Sequence, residues 1–194
     1  MNALRLGLFA ATAVPALLAG FCFAQKPDTA SSDWKAIVQN RLLLYGHRNW
    51  IAVTDSAFPA YADPRIETIV VHEDMAPVLR YVADAIASSH HVRATVFLDQ
   101  ELPFVDEHDF PGVSELRKQI AATFAKDQIS SLPHNEIISK LDEAGKTFKI
   151  LFIKTAGTIP YTSVFMRLDC GYLTDEGERK IRTAISAAGS QQPK

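Results

Sequence analysis

Cysteine is scarce: Cys22 and Cys170 are the whole supply in 194 residues, which excludes a disulfide-rich scaffold. Basic charge does not predominate either. Lys and Arg number 20 against 22 Asp and Glu, which excludes a nucleic-acid binder driven by bulk charge. There is no G-x-S-x-G elbow, P-loop, G-x-G-x-x-G, H-E-x-x-H or C-x-x-C. Internal repeats and low-complexity linkers are missing too. What is present is 47% apolar residues, enough for a buried core and too many for a disordered chain.

Part of that apolar content is an address. Residues 1–24 carry one charge, Arg5, followed by an apolar run over 6–19 and small residues at Cys22 and Ala24. This is the layout of a secretory signal peptide cleaved after Ala24. The run is short for a membrane span, and a retained N-terminal anchor is the alternative. Cleavage leaves 170 residues with 19 basic and 22 acidic side chains, a net of −3, and no membrane segment. It leaves Cys170 as the one thiol, in an apolar stretch that suits a buried, inert cysteine. Location is then periplasmic or secreted. Residues 25–33 form a flexible polar lead-in, 34–188 a single domain, and 189–194 a polar tail.

Strands and helices alternate along that domain. Ser31 or Ser32 caps a helix with Trp34, Ile37, Val38, Leu42 and Tyr45 on one face, closed by Gly46. A buried strand spans 50–54 and ends at Asp55. Pro59 and Pro64 make 58–64 a loop. A strand over 67–71 precedes a helix capped by Asp74, with Met75, Val78, Leu79, Val82 and Ile86 at helical spacing. A strand at 95–98, a helix from 113 to about 126, and a short helix from Leu132-Pro133 to Gly145 follow. Strands at 148–153 and 162–168 are joined by few residues, an arrangement that suits antiparallel pairing and a mixed sheet. Thr174 caps a last helix with an apolar stripe of Ile181, Ala184, Ile185 and Ala188. The fold class is α/β, a three-layer α/β/α domain with a mostly parallel or mixed sheet.

The polar residues worth weighing stand at element ends: His47, Asp55, His134, Tyr161 and Ser163. Ligands of α/β proteins gather at strand ends, which favours Asp55. The Asp106-Glu107-His108-Asp109 run has metal-ligating atoms, yet consecutive residues rarely converge on one ion, and it reads as a solvated loop. His90-His91 ends a helix, where positive charge is favourable. Glu67 and Asp99 flank strands, where they could line a cleft, but nothing separates them from surface acids, and Phe97, Phe148, Phe152 and Phe165 read as core. A hydrolase using His134 and Asp55 lacks a nucleophile in a strand-turn-helix setting.

Three segments together resemble the ribose pyranase / fucose mutarotase (RbsD/FucU) family. The stretch from Gly46-His47 through Trp50 to Asp55-Ser56-Ala57-Phe58-Pro59 is similar to its Gly-His, buried strand, Asp and Pro signature. Leu132-Pro133-His134-Asn135-Glu136 is similar to its His before a short helix. Pro160-Tyr161-Thr162-Ser163 resembles its Pro-Tyr-Ala-Asn, and Cys170-Gly171 its terminal pair. The likeness covers about residues 35–172. It implies cofactor-free, metal-free interconversion of monosaccharide anomers or ring forms by a homo-oligomeric ring with sites at subunit borders. His47 would be the acid/base group, with Tyr161 assisting. Asp55, His134, Tyr161, Thr162 and Ser163 would hold the sugar. Arg48-Asn49 replace a small residue and an acid, and Thr162-Ser163 replace Ala-Asn. A non-catalytic sugar-binding or structural ring on the same fold is the alternative.

One geometric expectation is independent of that likeness. Eight extended residues span roughly 25 Å at about 3.3 Å each, so His47 and Asp55 cannot meet within one chain while 50–54 is a strand. His47 is expected to meet the Asp55 site of a neighbouring subunit.

Overall fold

The structure is a computed structural model that describes residues 34–189. The expected signal peptide, the expected lead-in with Ser31 and Ser32, Cys22 and residues 190–194 lie outside the described residues. The elements run α1 (Trp34–Leu44), β1 (Trp50–Thr54), β2 (Ile66–Val70), α2 (Met75–Ala87), β3 (Val92–Asp99), α3 (Val113–Thr123), β4 (Ile129–Leu132), α4 (His134–Gly145), β5 (Ile150–Lys154), β6 (Val164–Cys170) and α5 (Asp175–Gly189). No helix among the described residues is long and apolar enough to cross a membrane.

The six strands form one mixed sheet in the order β2-β5-β1-β6-β3-β4. Five run parallel and β6 alone is reversed, pairing antiparallel with β1 and β3. The pairing expected between the last two strands is therefore not made: β1 lies between β5 and β6. Alternation of side chains then fills two cores. Ile51 and Val53 point to the face covered by α1, α2 and α3, while Trp50 and Ala52 point to the face covered by α4. Each fully buried Leu or Ile there contributes about 1.5–3 kcal/mol.

One helix cannot cover its face of six strands. The Pro-containing loop after β1 completes it: Phe58 packs on Phe152 at 4.8 Å between ring centres, and Tyr61 stacks on the same ring at 5.2 Å. Burial pushes the Tyr61 phenol up to about 12, with Asp142 beside it acting in the same sense. Gly145 lets the end of α4 sit against β2, because a Cβ there would lie 2.8 Å from the Ile66 side chain.

Several local readings shift. β4 was not anticipated, since Ser130 and Ser131 are exposed on a short edge strand and carry no apolar alternation. Phe148 precedes β5 and is half-buried under the Arg48 guanidinium, 4.8 Å from its ring centre, and is not a core strand residue. Gly46 is not left-handed; α1 is closed instead by His91, whose Nε2 lies 2.9 Å from the Leu42 carbonyl and 3.2 Å from that of Tyr45. Asp74 stands at the N-cap of α2 without a side-chain cap bond, whereas Thr174 Oγ1 does accept from Gly177 N–H at 3.0 Å. Cys170 is half-buried at the end of β6, so it is not the fully buried thiol expected. The apolar stripe of α5 does not enter the core: Ile181 and Ile185 are 53% and 65% exposed.

Candidate functional site

Reversal of β6 brings its N-terminal end to the edge where the five parallel strands finish. The segment 155–163 leaves β5 and arches over the end of β1 to reach β6. It is pinned there by Thr155 N–H to Thr54 O at 2.9 Å and Ser56 N–H to Gly157 O at 2.8 Å. Asp55, Asp99, His134, Tyr161, Thr162 and Ser163 are thereby gathered along one edge of the sheet. Five of these six come from the sequence reading.

Asp55 and Ser163 are tied together. Ser163 Oγ donates to Asp55 Oδ2 at 2.9 Å and accepts from Asp55 N–H at 3.3 Å. Asp55 Oδ1 accepts from Ala57 N–H at 2.9 Å, so both carboxylate oxygens are anchored and each keeps a lone pair for a further donor. Thr162 and Ser163 are buried, and Thr162 Oγ1 donates to Ile159 O at 2.7 Å. Their hydroxyl hydrogens are used inside the chain. Asp55 and Tyr161 are the groups of this set that face outward, half-buried and 40% exposed respectively.

His134 opens α4, and two acids from the end of β3 fix it. Its backbone N–H lies 3.1 and 3.2 Å from the Glu101 carboxylate oxygens, which satisfies a helix N-terminus whose own N-cap, Pro133, makes no side-chain cap bond. Its Nδ1 lies 3.1 Å from Asp99 Oδ1. The ring meets Tyr161 edge-on, with centres 5.6 Å apart and planes at 82°. Asp99 is 1% exposed, and its Oδ2 has no hydrogen-bond partner among the described residues. Burial pushes its carboxyl above the usual range; His134 pulls it down, and Glu101 and Asp55 push it up. The other buried orphan among the described residues is Thr54 Oγ1, at the same end of β1. Asp99 is the residue the sequence did not single out. Its position at a strand terminus on the same edge as Asp55 was the available signal.

Tyr161 holds a left-handed backbone, φ 58°, which costs a non-glycine residue roughly 1–2 kcal/mol. Such strain concentrates where a side chain must be aimed.

His47 is elsewhere. It precedes β1 at the opposite edge of the sheet, in a turn closed by Asn49 Oδ1 accepting from Gly46 N–H at 3.0 Å and by Arg48 N–H to Leu168 O at 2.7 Å. Arg48 is left-handed there, φ 74°. Exposed His47 borders an open groove of about 930 Å³ with Arg48, Lys140, Arg167 and Asp169. The chain thus places His47 and the Asp55 group at opposite ends of its central strand.

The remaining polar clusters have local duties. Glu107 accepts from Gly112 and Ser114 N–H at 2.6 and 2.7 Å, capping α3, and these bonds lower its carboxyl to about 2. Asp106, His108 and Asp109 come within 4.8 Å of one another on this exposed loop. The hydrolase reading finds no support in the geometry: Ser163 bonds to Asp55, and the His134 ring bonds to Asp99.

Comparison with protein families gives a match to the RbsD / FucU transport protein family over residues 36–171. The chain belongs to that family. This RbsD/FucU member finds no match among curated proteins. Among solved structures it is similar to Bacillus subtilis RbsD complexed with D-ribose, at 19% identity and TM-score 0.49, covering 72% of this chain and 95% of that one. It is also similar to the fucose mutarotase of Streptococcus pneumoniae in complex with L-fucose, at 14% identity and TM-score 0.47, covering 75% and 97%. FucU from Bifidobacterium longum follows at 13% and 0.45, covering 69% and 94%.

Proposed function

We propose that this RbsD/FucU protein is a cofactor-free monosaccharide mutarotase or pyranase. The observation that carries the reading is the gathering of Asp55, His134 and Tyr161 at one sheet edge, with Thr162-Ser163 bracing them and His47 at the other end. Membership of the RbsD/FucU family supports it.

Ring opening moves one proton from the anomeric hydroxyl to a base and places one on the ring oxygen. Closure on the other face reverses this. An imidazole serves in both directions near neutrality, which is the role given to His47. The free lone pairs of Asp55 accept sugar hydroxyls, and the hydroxyl of the exposed Tyr161 both donates and accepts. His47 and Asp55 flank β1, whose five residues alone span roughly 17 Å at about 3.3 Å each, so His47 acts on a sugar held by a neighbouring subunit of a homo-oligomeric ring. Export, with cleavage after Ala24, places the reaction in the periplasm or outside the cell.

Saturation-transfer NMR on a panel of free sugars tests the activity. Accelerated exchange between anomers is the expected result, and His47→Ala abolishes it. Binding without exchange would instead establish a non-catalytic sugar-binding ring. Native mass spectrometry reads the assembly, and the mass of the exported chain reads the cleavage site.

A further inference from the structure

We infer that Asp99 is a positioning residue, holding the His134 imidazole in one tautomer with Nδ1–H toward Asp99 Oδ1 and the Nε2 lone pair left for a ligand hydroxyl. The inference rests on the sugar site proposed above and adds a residue to it.

The geometry carries the argument. A carboxylate accepts hydrogen bonds and cannot donate, so the nitrogen 3.1 Å from Asp99 Oδ1 is the protonated one in a neutral ring. The other nitrogen, Nε2, is then an acceptor. The hydroxyl it would accept from belongs to the same ligand that Asp55 and Tyr161 address. The backbone of His134 is held independently by Glu101, so ring and backbone are both fixed by acids at the end of β3 and just beyond it. Tyr161 against the ring removes a further rotational freedom.

A purely structural role fits poorly. Buried carboxylates that hold folds together accept several N–H bonds. Asp99 makes one, to a ring whose side chain is 35% exposed, and leaves Oδ2 unpartnered among the described residues. A charge so buried and so thinly supported is costly, and such costs mark groups retained for what they do to a neighbour.

The test is a long-range 1H–15N correlation spectrum of the full chain labelled in its histidines. His134→Gln identifies the His134 signals by their loss. In the wild type, His134 is expected with Nδ1 protonated and Nε2 bare. Asp99→Asn can turn its amide N–H toward Nδ1, and is expected to shift the tautomer ratio toward Nε2–H by roughly tenfold, the equivalent of one hydrogen bond. A wild-type ring protonated at Nε2 overturns the inference, as does a ratio within about twofold of wild type in Asp99→Asn. The wild-type spectrum decides alone if the variant does not fold. Sugar exchange, measured separately, is expected to slow roughly tenfold in Asp99→Asn. Absent exchange with the expected tautomer sinks the mutarotase reading and leaves the Asp99–His134 pair standing. Normal exchange with the opposite tautomer sinks the pair and leaves the mutarotase.

Discussion

Replacing Asp99 by asparagine is expected to make this protein more stable. The side chain is 1% exposed, accepts one hydrogen bond and has a second oxygen with none among the described residues. Removing one member of a buried ion pair is ordinarily damaging, because the other charge is left buried and alone. That does not apply here, since the His134 side chain is 35% exposed and a charge on it would meet water. Asparagine keeps the size and a hydrogen bond while removing the desolvated charge. Exchanging a carboxylate bond for an amide bond costs about 1 kcal/mol, and relief of charge burial is worth about 2 kcal/mol. A net gain of about 1 kcal/mol raises Tm by about 2–4 °C in a domain of this size.

The pH dependence has a definite sign. Burial raises the Asp99 carboxyl, so the native state holds its proton more tightly than the unfolded chain does. That contribution is complete below the unfolded carboxylate range, about 3.9, and is lost as pH rises through the raised value. The advantage of Asp99→Asn is therefore greatest near neutrality and fades on acidification. Scanning calorimetry of both proteins across that range measures it. A drop of several degrees in Tm near neutrality would refute the reasoning, because Asp99 would then stabilise the fold by more than its burial costs.

Other expectations follow from packing and exposure. Gly171→Ala should cost about 1–3 kcal/mol, because its Cβ would meet backbone atoms of His90 and Val92 at 2.8 Å; Gly145→Ala should cost less, since the obstacle is the tip of the Ile66 side chain. Denaturant melts of the two variants give the ranking. Spectrophotometric titration should show Tyr45 and Tyr61 still protonated until pH approaches about 12, both held up first by burial. Their contribution to stability is complete below about pH 10 and is lost as pH rises through about 12. Ile181→Ser should change chain stability by less than about 0.5 kcal/mol, as an exposed substitution does, and a melt showing more would place α5 in the core.

Much of this architecture is legible from local pattern. Trp34, Val38 and Leu42 mark α1, and the run from Trp50 to Asp55 marks the central strand and its polar terminus. What escapes is tertiary. Nothing within residues 164–170 says that they pair with β1 and β3 and not with β5, because pairing depends on partners distant in sequence. Ser130 and Ser131 hide β4 because an edge strand need bury little. The apolar stripe of α5 states only that one side of the helix is apolar, not that something covers it. Asp99 escapes for a related reason: an acid ending a strand looks alike in sequence whether it meets water or a buried imidazole.

The separation of His47 from Asp55 has a kinetic consequence. Under the proposed chemistry a lone chain carries both halves of the machinery and can use neither on the same sugar. Specific activity would then depend on protein concentration, falling on dilution as neighbours part. Two inactive variants, His47→Ala and Asp55→Ala, would restore turnover when mixed, since some borders would join an intact His47 to an intact Asp55. An exported protein of this design would be silent at trace abundance and become active only once enough copies accumulated to find one another.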